Sequence, residues 1–209
     1  MSDILSGDYV AAEEGKFFTS FLGATANTAV ATITVALGQT SPSLVVFNGQ
    51  PEGGKNLYMR YAKFSITTAQ TGSTSMQHVG VLNSGSVHTT VGTAMSAPVN
   101  VNGDSGVGSL TKLYGGVNVM STPAAAGRVV HTGEVDNSIP IVLDTWNLVY
   151  GEQGVADVKI GTMTAVKHIT VPLPPVVVAP RQYYTLGFWG VLTDASAADY
   201  RMNVGWIEQ

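Results

Sequence analysis

The sequence predicts an all-β protein: a jelly-roll-like antiparallel β-sandwich over residues 24–209, preceded by a short N-terminal arm, residues 1–23. Three observations predict it. Apolar and polar residues alternate at period two along most of the 209 residues, with β-branched and aromatic types dominating the apolar set. Turn signals drawn from 24 glycines and 9 prolines punctuate those runs. No fixed-period repeat and no long linker is visible, so one sandwich-sized unit is expected rather than a propeller, a solenoid or two domains.

The arm concentrates acid at Asp3, Asp8, Glu13 and Glu14. Asp8 is placed to cap a short helix from Tyr9 to Lys16, stopped at Gly15 or soon after. Phe17, Phe18, Phe21 and Leu22 then form an aromatic cluster that docks on the domain or on a neighbour; the alternative is an ordinary first strand, Lys16 to Leu22. Phe17, Phe18 and Phe21 are the candidate partner-binding residues.

The strands follow in order. Ala29 to Leu37 places Ala31, Ile33, Val35 and Leu37 on one face, with Thr32 and Thr34 on the other. Ser43 to Phe47 is short and apolar, closed by Asn48-Gly49. Leu57 to Thr67 changes phase, so a bulge near Tyr61–Ala62 is expected to keep both apolar sets inward. Ser73 to Leu82 and Ser86 to Thr93 read as a hairpin about Asn83-Ser84-Gly85. Leu110 to Val119, Arg128 to His131, Ile139 to Leu143, Trp146 to Tyr150, Val158 to Ile160 and Val166 to Val171 continue the series. Pro172, Pro174 and Pro175 mark an edge or an extended connection, because proline removes a ladder donor. After the turn at Arg181-Gln182, Tyr184, Leu186 and Phe188 share a face, and Met202, Val204 and Trp206 share one in a last strand.

Chemical motifs are sparse. With no cysteine there is no disulfide, thiol nucleophile or Cys-based zinc site. The histidines His78, His88, His131 and His168 stand singly; His78 and His88 are expected to meet across their hairpin as a polar pair, and no metal or cofactor is expected. Gly106-Val107-Gly108-Ser109-Leu110 lacks the glycine that a nucleophile elbow needs after its serine. Asn100-Val101-Asn102-Gly103-Asp104 alternates oxygen side chains as calcium loops do, yet Ser105 and Thr111 stand where glycine and glutamate are needed, so it reads as a polar turn. Glu134, Asp136 and Asp144 could pair for glycoside hydrolysis, but a solvated loop fits them better. Trp146, Trp189 and Trp206 fit core or interface packing better than a sugar platform. No catalytic residue is assigned and no enzyme is expected.

Charge narrows the partners. Charged residues are 11% of the chain, against about 25% in ordinary soluble domains. A net charge of −4 with only 10 Lys+Arg argues against a nucleic-acid partner. The start, Met1 to Asp8, lacks the basic and apolar regions of a signal peptide, and no window approaches the roughly 18 apolar residues of a membrane span. Synthesis in a cytosol without a membrane partner is expected. A surface of Thr, Ser, Asn, Gln and Gly suits a protein packed against others, so a homo-oligomer or a larger assembly is expected.

A resemblance sharpens this. Lys55-Asn56-Leu57-Tyr58-Met59-Arg60-Tyr61, the run Val177-Val178-Ala179-Pro180-Arg181-Gln182-Tyr183-Tyr184-Thr185-Leu186-Gly187-Phe188-Trp189 and the closing Val204-Gly205-Trp206-Ile207-Glu208 resemble structural proteins of tailed-bacteriophage virions. The likeness runs from about Leu44 to the end, with Thr/Ser/Gly-rich strands between. It implies a non-enzymatic virion component made in the host cytoplasm, closest to a capsid decoration or cement protein that binds the major capsid protein as a homo-oligomer, a trimer. Arg181 departs from the pattern, since a glycine would suit that turn. The alternative is a tail or fibre module reading a host glycan through Trp146 or an exposed tyrosine.

Overall fold

Strands β4 (Leu57–Thr68) and β17 (Ala198–Glu208) pair antiparallel from Leu57↔Glu208 to Thr68↔Asp199 and form the spine of the larger of the two main sheets among the described residues. The computed structural model describes residues 7–22, 28–30, 41–68, 76–83, 88–116, 118–121, 127–136, 141–151, 158–160, 166–190 and 198–209. Outward from the spine on one side lie β12 (Thr145–Tyr150), β14 (His168–Leu173) and β13 (Val158–Ile160). On the other side lie β1 (Phe17–Phe21) and β8 (Val99–Asn100). Two short strands, β15 (Val177–Val178) on β4 and β2 (Thr28–Val30) on β17, complete this sheet.

The second sheet runs β11 (Arg128–Asp136), β5 (Met76–Asn83), β16 (Tyr183–Gly190), β3 (Leu44–Phe47), β9 (Lys112–Gly115) and β7 (Thr93–Ala94). The two sheets pack face to face, so the expected all-β sandwich is the architecture that forms. Among the described residues its pairings are antiparallel apart from β12 with β14. Phe64 of β4 meets Phe188 of β16 edge-on at 4.5 Å between ring centres, and Trp146 of β12 approaches the same ring at 5.8 Å. Alternation explains the core. Trp146, Leu148 and Tyr150 are buried while Thr145, Asn147 and Val149 between them face outward. Burying each such side chain contributes about 1.5–3 kcal/mol.

The phase change in β4 is a bulge, placed slightly earlier than the sequence suggested. Register slips between Gly205↔Tyr61 and Trp206↔Met59, which leaves Arg60 as the extra residue. Leu57 and Met59 before it, and Ala62, Phe64 and Ile66 after it, all reach the core. Tyr61 does not; it turns outward with Arg60.

Other expectations need correction. Residues 88–90 form β6 (His88–Thr90), which pairs with β10 (Val119–Met120), while β5 lies between β11 and β16, so among the described residues β5 and β6 do not form the expected ladder; Ser84 and Gly85 lie outside the described residues. The Leu110–Val119 run is broken at Gly116, with φ +83°, into β9 and β10. Of the Ile139–Leu143 run, residues 141–144 form a turn in which Asp144 N–H donates to Ile141 O at 3.1 Å and Leu143 adopts φ +77°. Most of the Ala29–Leu37 run lies outside the described residues. Pro172 sits within β14, beyond the part of that strand that pairs with β13, so its missing donor leaves no gap in that ladder.

The N-terminal segment divides in two. Helix α1 (Gly7–Glu13) ends when Gly15, at φ +66°, lets Lys16 N–H reach Ala11 O and Gly15 N–H reach Ala12 O, a Schellman cap. Asp8 lies within the first turn rather than capping it. Residues 17–21 then enter the sheet as β1, between β17 and β8, so this part of the expected arm belongs to the sandwich.

Candidate functional site

The outer face of the larger sheet carries a shallow polar trough, and the bulge in β4 creates it. By turning both Arg60 and Tyr61 outward, the bulge sets them beside Lys63 of the same strand. β12 adds Asn147 and Val149, β14 adds Thr170, β17 adds Asn203 and α1 adds Asp8, around a volume of about 480 Å³. A second depression of about 280 Å³ shares Lys63, Asn147 and Thr170 and extends to Thr145 and His168. The two form one trough across β14, β12, β4 and β17.

Tyr61 is its floor. Opposite it in register stands Gly205, and a Cβ there would collide with the tyrosine ring. The ring lies over this glycine, and its hydroxyl donates to Asn203 Oδ1 at 3.2 Å. Partial burial raises the Tyr61 phenol above its ordinary value. At one end Arg60 and Asp8 form a two-point ion pair, Nε to Oδ1 at 2.8 Å and Nη2 to Oδ2 at 3.0 Å, which neutralises both charges. Lys63 has no ion-pair partner among the described residues.

A different surface lies at the free edge formed by β1 and β8. Phe18 and Ser20 point inward, and Phe17, Thr19 and Phe21 point outward. Thr19 is opposite Val99, and Val101 N–H donates to Phe17 O at 3.0 Å, so Val99 and Val101 share the outward face. Phe21 is 46% exposed and Val99 50%, giving an apolar stripe without a charged side chain. Phe18 is fully buried and stacks on Trp206 at 6.1 Å. Of the three candidate phenylalanines, Phe18 is therefore core, Phe17 is half-buried and Phe21 alone is exposed.

Comparison of the chain with protein-family models, curated proteins and solved structures finds no match. The site therefore rests on geometry.

The remaining candidates have structural partners. His78 does not meet His88: it meets His131 of β11, Nδ1 to Nδ1 at 3.1 Å. His131 Nε2 is 2.7 Å from Tyr184 Oη, which is 2.8 Å from Tyr150 Oη, so a buried polar chain crosses from one sheet to the other. Burial lowers His78 to about 4 and His131 to about 3, with the neighbouring His78 charge adding to the latter. Burial likewise raises both tyrosines. The signal missed in the sequence is the repeated His-x-Gly, at His78-Val79-Gly80 and His131-Thr132-Gly133. His88 instead contacts Asn118 Oδ1 at 3.0 Å.

The Asn100–Asp104 segment ties down α1. Asn100 Nδ2 donates to Gly15 O at 2.8 Å and Asn102 Nδ2 to Glu13 O at 2.9 Å. Among the described residues no group of three His, Asp or Glu side chains could hold a metal. Ser109 donates to Glu208 Oε1, which also accepts from Thr111 Oγ1 at 3.0 Å and Trp206 Nε1 at 3.1 Å. This buried carboxylate fixes the 105–111 loop to the last strand. Asp144 is buried too, accepting from Lys167 N–H at 2.8 Å and facing Lys167 Nζ at 3.4 Å, away from the exposed Glu134. Trp146 and Trp206 are core; the side chains of Asp136 and Trp189 lie outside the described residues.

Proposed function

We propose that this chain is a non-enzymatic structural protein of a tailed-phage virion, with a jelly-roll-like body, that decorates the head by binding the major capsid protein. The observation that carries the reading is the apolar stripe of Phe21, Val99 and Val101 at an open sheet edge. The backbone here is largely occupied, Phe21 N–H and O by Ser96 and Phe17 O by Val101, so what the edge offers a partner is its apolar side chains, which free-standing proteins usually surround with charge. Here the stripe carries none, and the whole chain is only 11% charged. The resemblance of residues 44–209 to virion proteins supplies the partner class, and self-association into a trimer belongs to the same proposal.

The test is sedimentation of purified protein with emptied phage heads and, separately, with isolated tails. Pelleting with heads in saturable fashion is the expected result. Pelleting with tails alone, or with neither, overturns the reading. Light scattering across a dilution series, on and off the heads, reads the oligomeric state.

A further inference from the structure

We propose that the trough on the outer face of the larger sheet binds an extended saccharide chain bearing carboxylate groups, with one sugar ring seated on Tyr61. The trough adjoins the apolar edge, since Asn203 stands opposite Phe21 in the β1–β17 ladder, but it is lined by different residues and does not depend on head binding.

Four features carry this. The Tyr61 ring lies over Gly205 and is anchored through its hydroxyl to Asn203, so it stays flat while bordering the trough. An aromatic face held open in that way suits the C–H face of a sugar ring. Around it stand Asn147, Thr170 and Asn203, short uncharged groups that both donate and accept, matching the paired hydroxyls of a saccharide. The trough crosses four neighbouring strands, a length of about 14 Å at the usual strand spacing, which holds a short run of sugar rings and leaves both ends open. Finally, the Asp8 pair cancels the charge of Arg60, leaving Lys63 as the uncompensated charge in the middle of the trough, lining both depressions. A carboxylate on the chain would answer it.

Other ligand classes fit less well. Nucleic acid needs several phosphate contacts, and among the described residues the trough offers Lys63 as its one cation without an ion-pair partner. An enclosed small molecule needs a deeper, more apolar pocket than this open surface.

The experiment titrates the full-length protein with tetragalacturonate, with maltotetraose as the neutral saccharide and tetraglutamate as the acidic non-saccharide, followed by backbone amide NMR shifts. Tetragalacturonate is expected to bind in the sub-millimolar range and to shift Tyr61, Asn147, Thr170 and Asn203, with maltotetraose about fivefold weaker or worse. Lys63→Gln should bring the two saccharides within about twofold of each other. Asn147→Ala should weaken both by about fivefold. Tyr61→Leu should lose about tenfold, and because it also uncovers Gly205, Tyr61→Phe is the folding control, expected to stay within about threefold of the parent. No saturable binding below about 10 mM, shifts confined to other surfaces, or tetraglutamate binding as tightly as tetragalacturonate overturns the proposal.

Discussion

His78 and His131 meet nitrogen to nitrogen, and each ring lies toward the glycine directly across the ladder: His131 over Gly80, His78 over Gly133. A single proton fits between two Nδ1 atoms at 3.1 Å, so one ring donates, the other accepts and both are neutral. Two proton arrangements then run through the rest of the chain. If His131 donates from Nδ1, its Nε2 accepts from Tyr184, and Tyr184 accepts from Tyr150, so each hydroxyl proton has a listener. In the reverse direction one tyrosine proton has no acceptor within the chain. The first arrangement in turn leaves His78 Nε2–H as an idle donor, so either direction leaves one donor without a partner at an end of the chain among the described residues, at about 1–3 kcal/mol.

Acid should therefore attack this core. In the unfolded chain both histidines titrate near about 6.5. In the fold, burial lowers them to about 4 and about 3. Between those values the unfolded state binds more protons, so stability rises with pH. The contribution is complete above about pH 6.5 and is lost as pH falls toward 3, at up to about 1.4 kcal/mol per pH unit for each histidine. Urea unfolding at several pH values reads the slope. In His78→Gln/His131→Gln it should flatten; an unchanged slope would assign the acid loss to carboxylates.

The two glycines should respond unequally to a methyl group. A Cβ at Gly80 would run into the His131 ring, whereas one at Gly133 would stand 3.1 Å from His78 Nε2. Gly80→Ala must push His131 off Tyr184, and an overpacked core costs about 1–3 kcal/mol before the lost hydrogen bond is added. Gly133→Ala needs a shift of a few tenths of an ångström and should cost about 1 kcal/mol or less. Thermal unfolding of the two variants side by side checks the order, and a more damaging Gly133→Ala would contradict it.

Strand positions were legible in the sequence because alternation is local, and pairing was not because it is set by distant segments. β16 and β17 follow their predicted faces. β5 and β6 are close in sequence, and their turn signal suggested a hairpin, yet β5 bonds β11 and β16 instead. That same change of partner brings His131, rather than His88, to His78. The turn at Val142–Leu143 escaped because it is built from exposed apolar residues, Leu143 at 66%, which read as a strand. The trough needed two facts together: the bulge at Arg60, which the phase change signalled slightly too late and with Tyr61 inward, and the Tyr61–Gly205 register, which exists only once β4 and β17 are paired.

Arg181 is a misplaced side chain by backbone criteria. Gln182 N–H donates to Ala179 O at 3.1 Å, Pro180 occupies the second turn position and Arg181 the third at φ +63°, a type II turn that favours glycine there. The left-handed region costs an ordinary residue about 1–2 kcal/mol, and glycine's extra chain entropy offsets about half to one of that. The Arg181 side chain is exposed, and its N–H to Asn48 O bond survives substitution. Arg181→Gly should therefore raise stability by about 0.5–1 kcal/mol, seen as a higher urea midpoint at unchanged slope. A lower midpoint would show that the guanidinium holds the turn by other means.

Phe18 and Phe21 separate folding from docking, three residues apart on one strand. Phe18 is fully enclosed against Trp206, so Phe18→Ala should cost about 3–5 kcal/mol in the isolated protein. Phe21 is 46% exposed, and Phe21→Ser should change stability by less than about 1 kcal/mol. Removing residues 1–23 is a poorer test, because it takes β1 from between β17 and β8 and weakens the body itself. The point change leaves the sheet intact and removes the largest exposed ring of the stripe. If that edge meets the major capsid protein, Phe21→Ser should lower affinity for emptied heads by about tenfold, since a buried aromatic anchor is worth about 1.5–3 kcal/mol. Equal binding by Phe21→Ser and the parent would move the docking surface away from this edge.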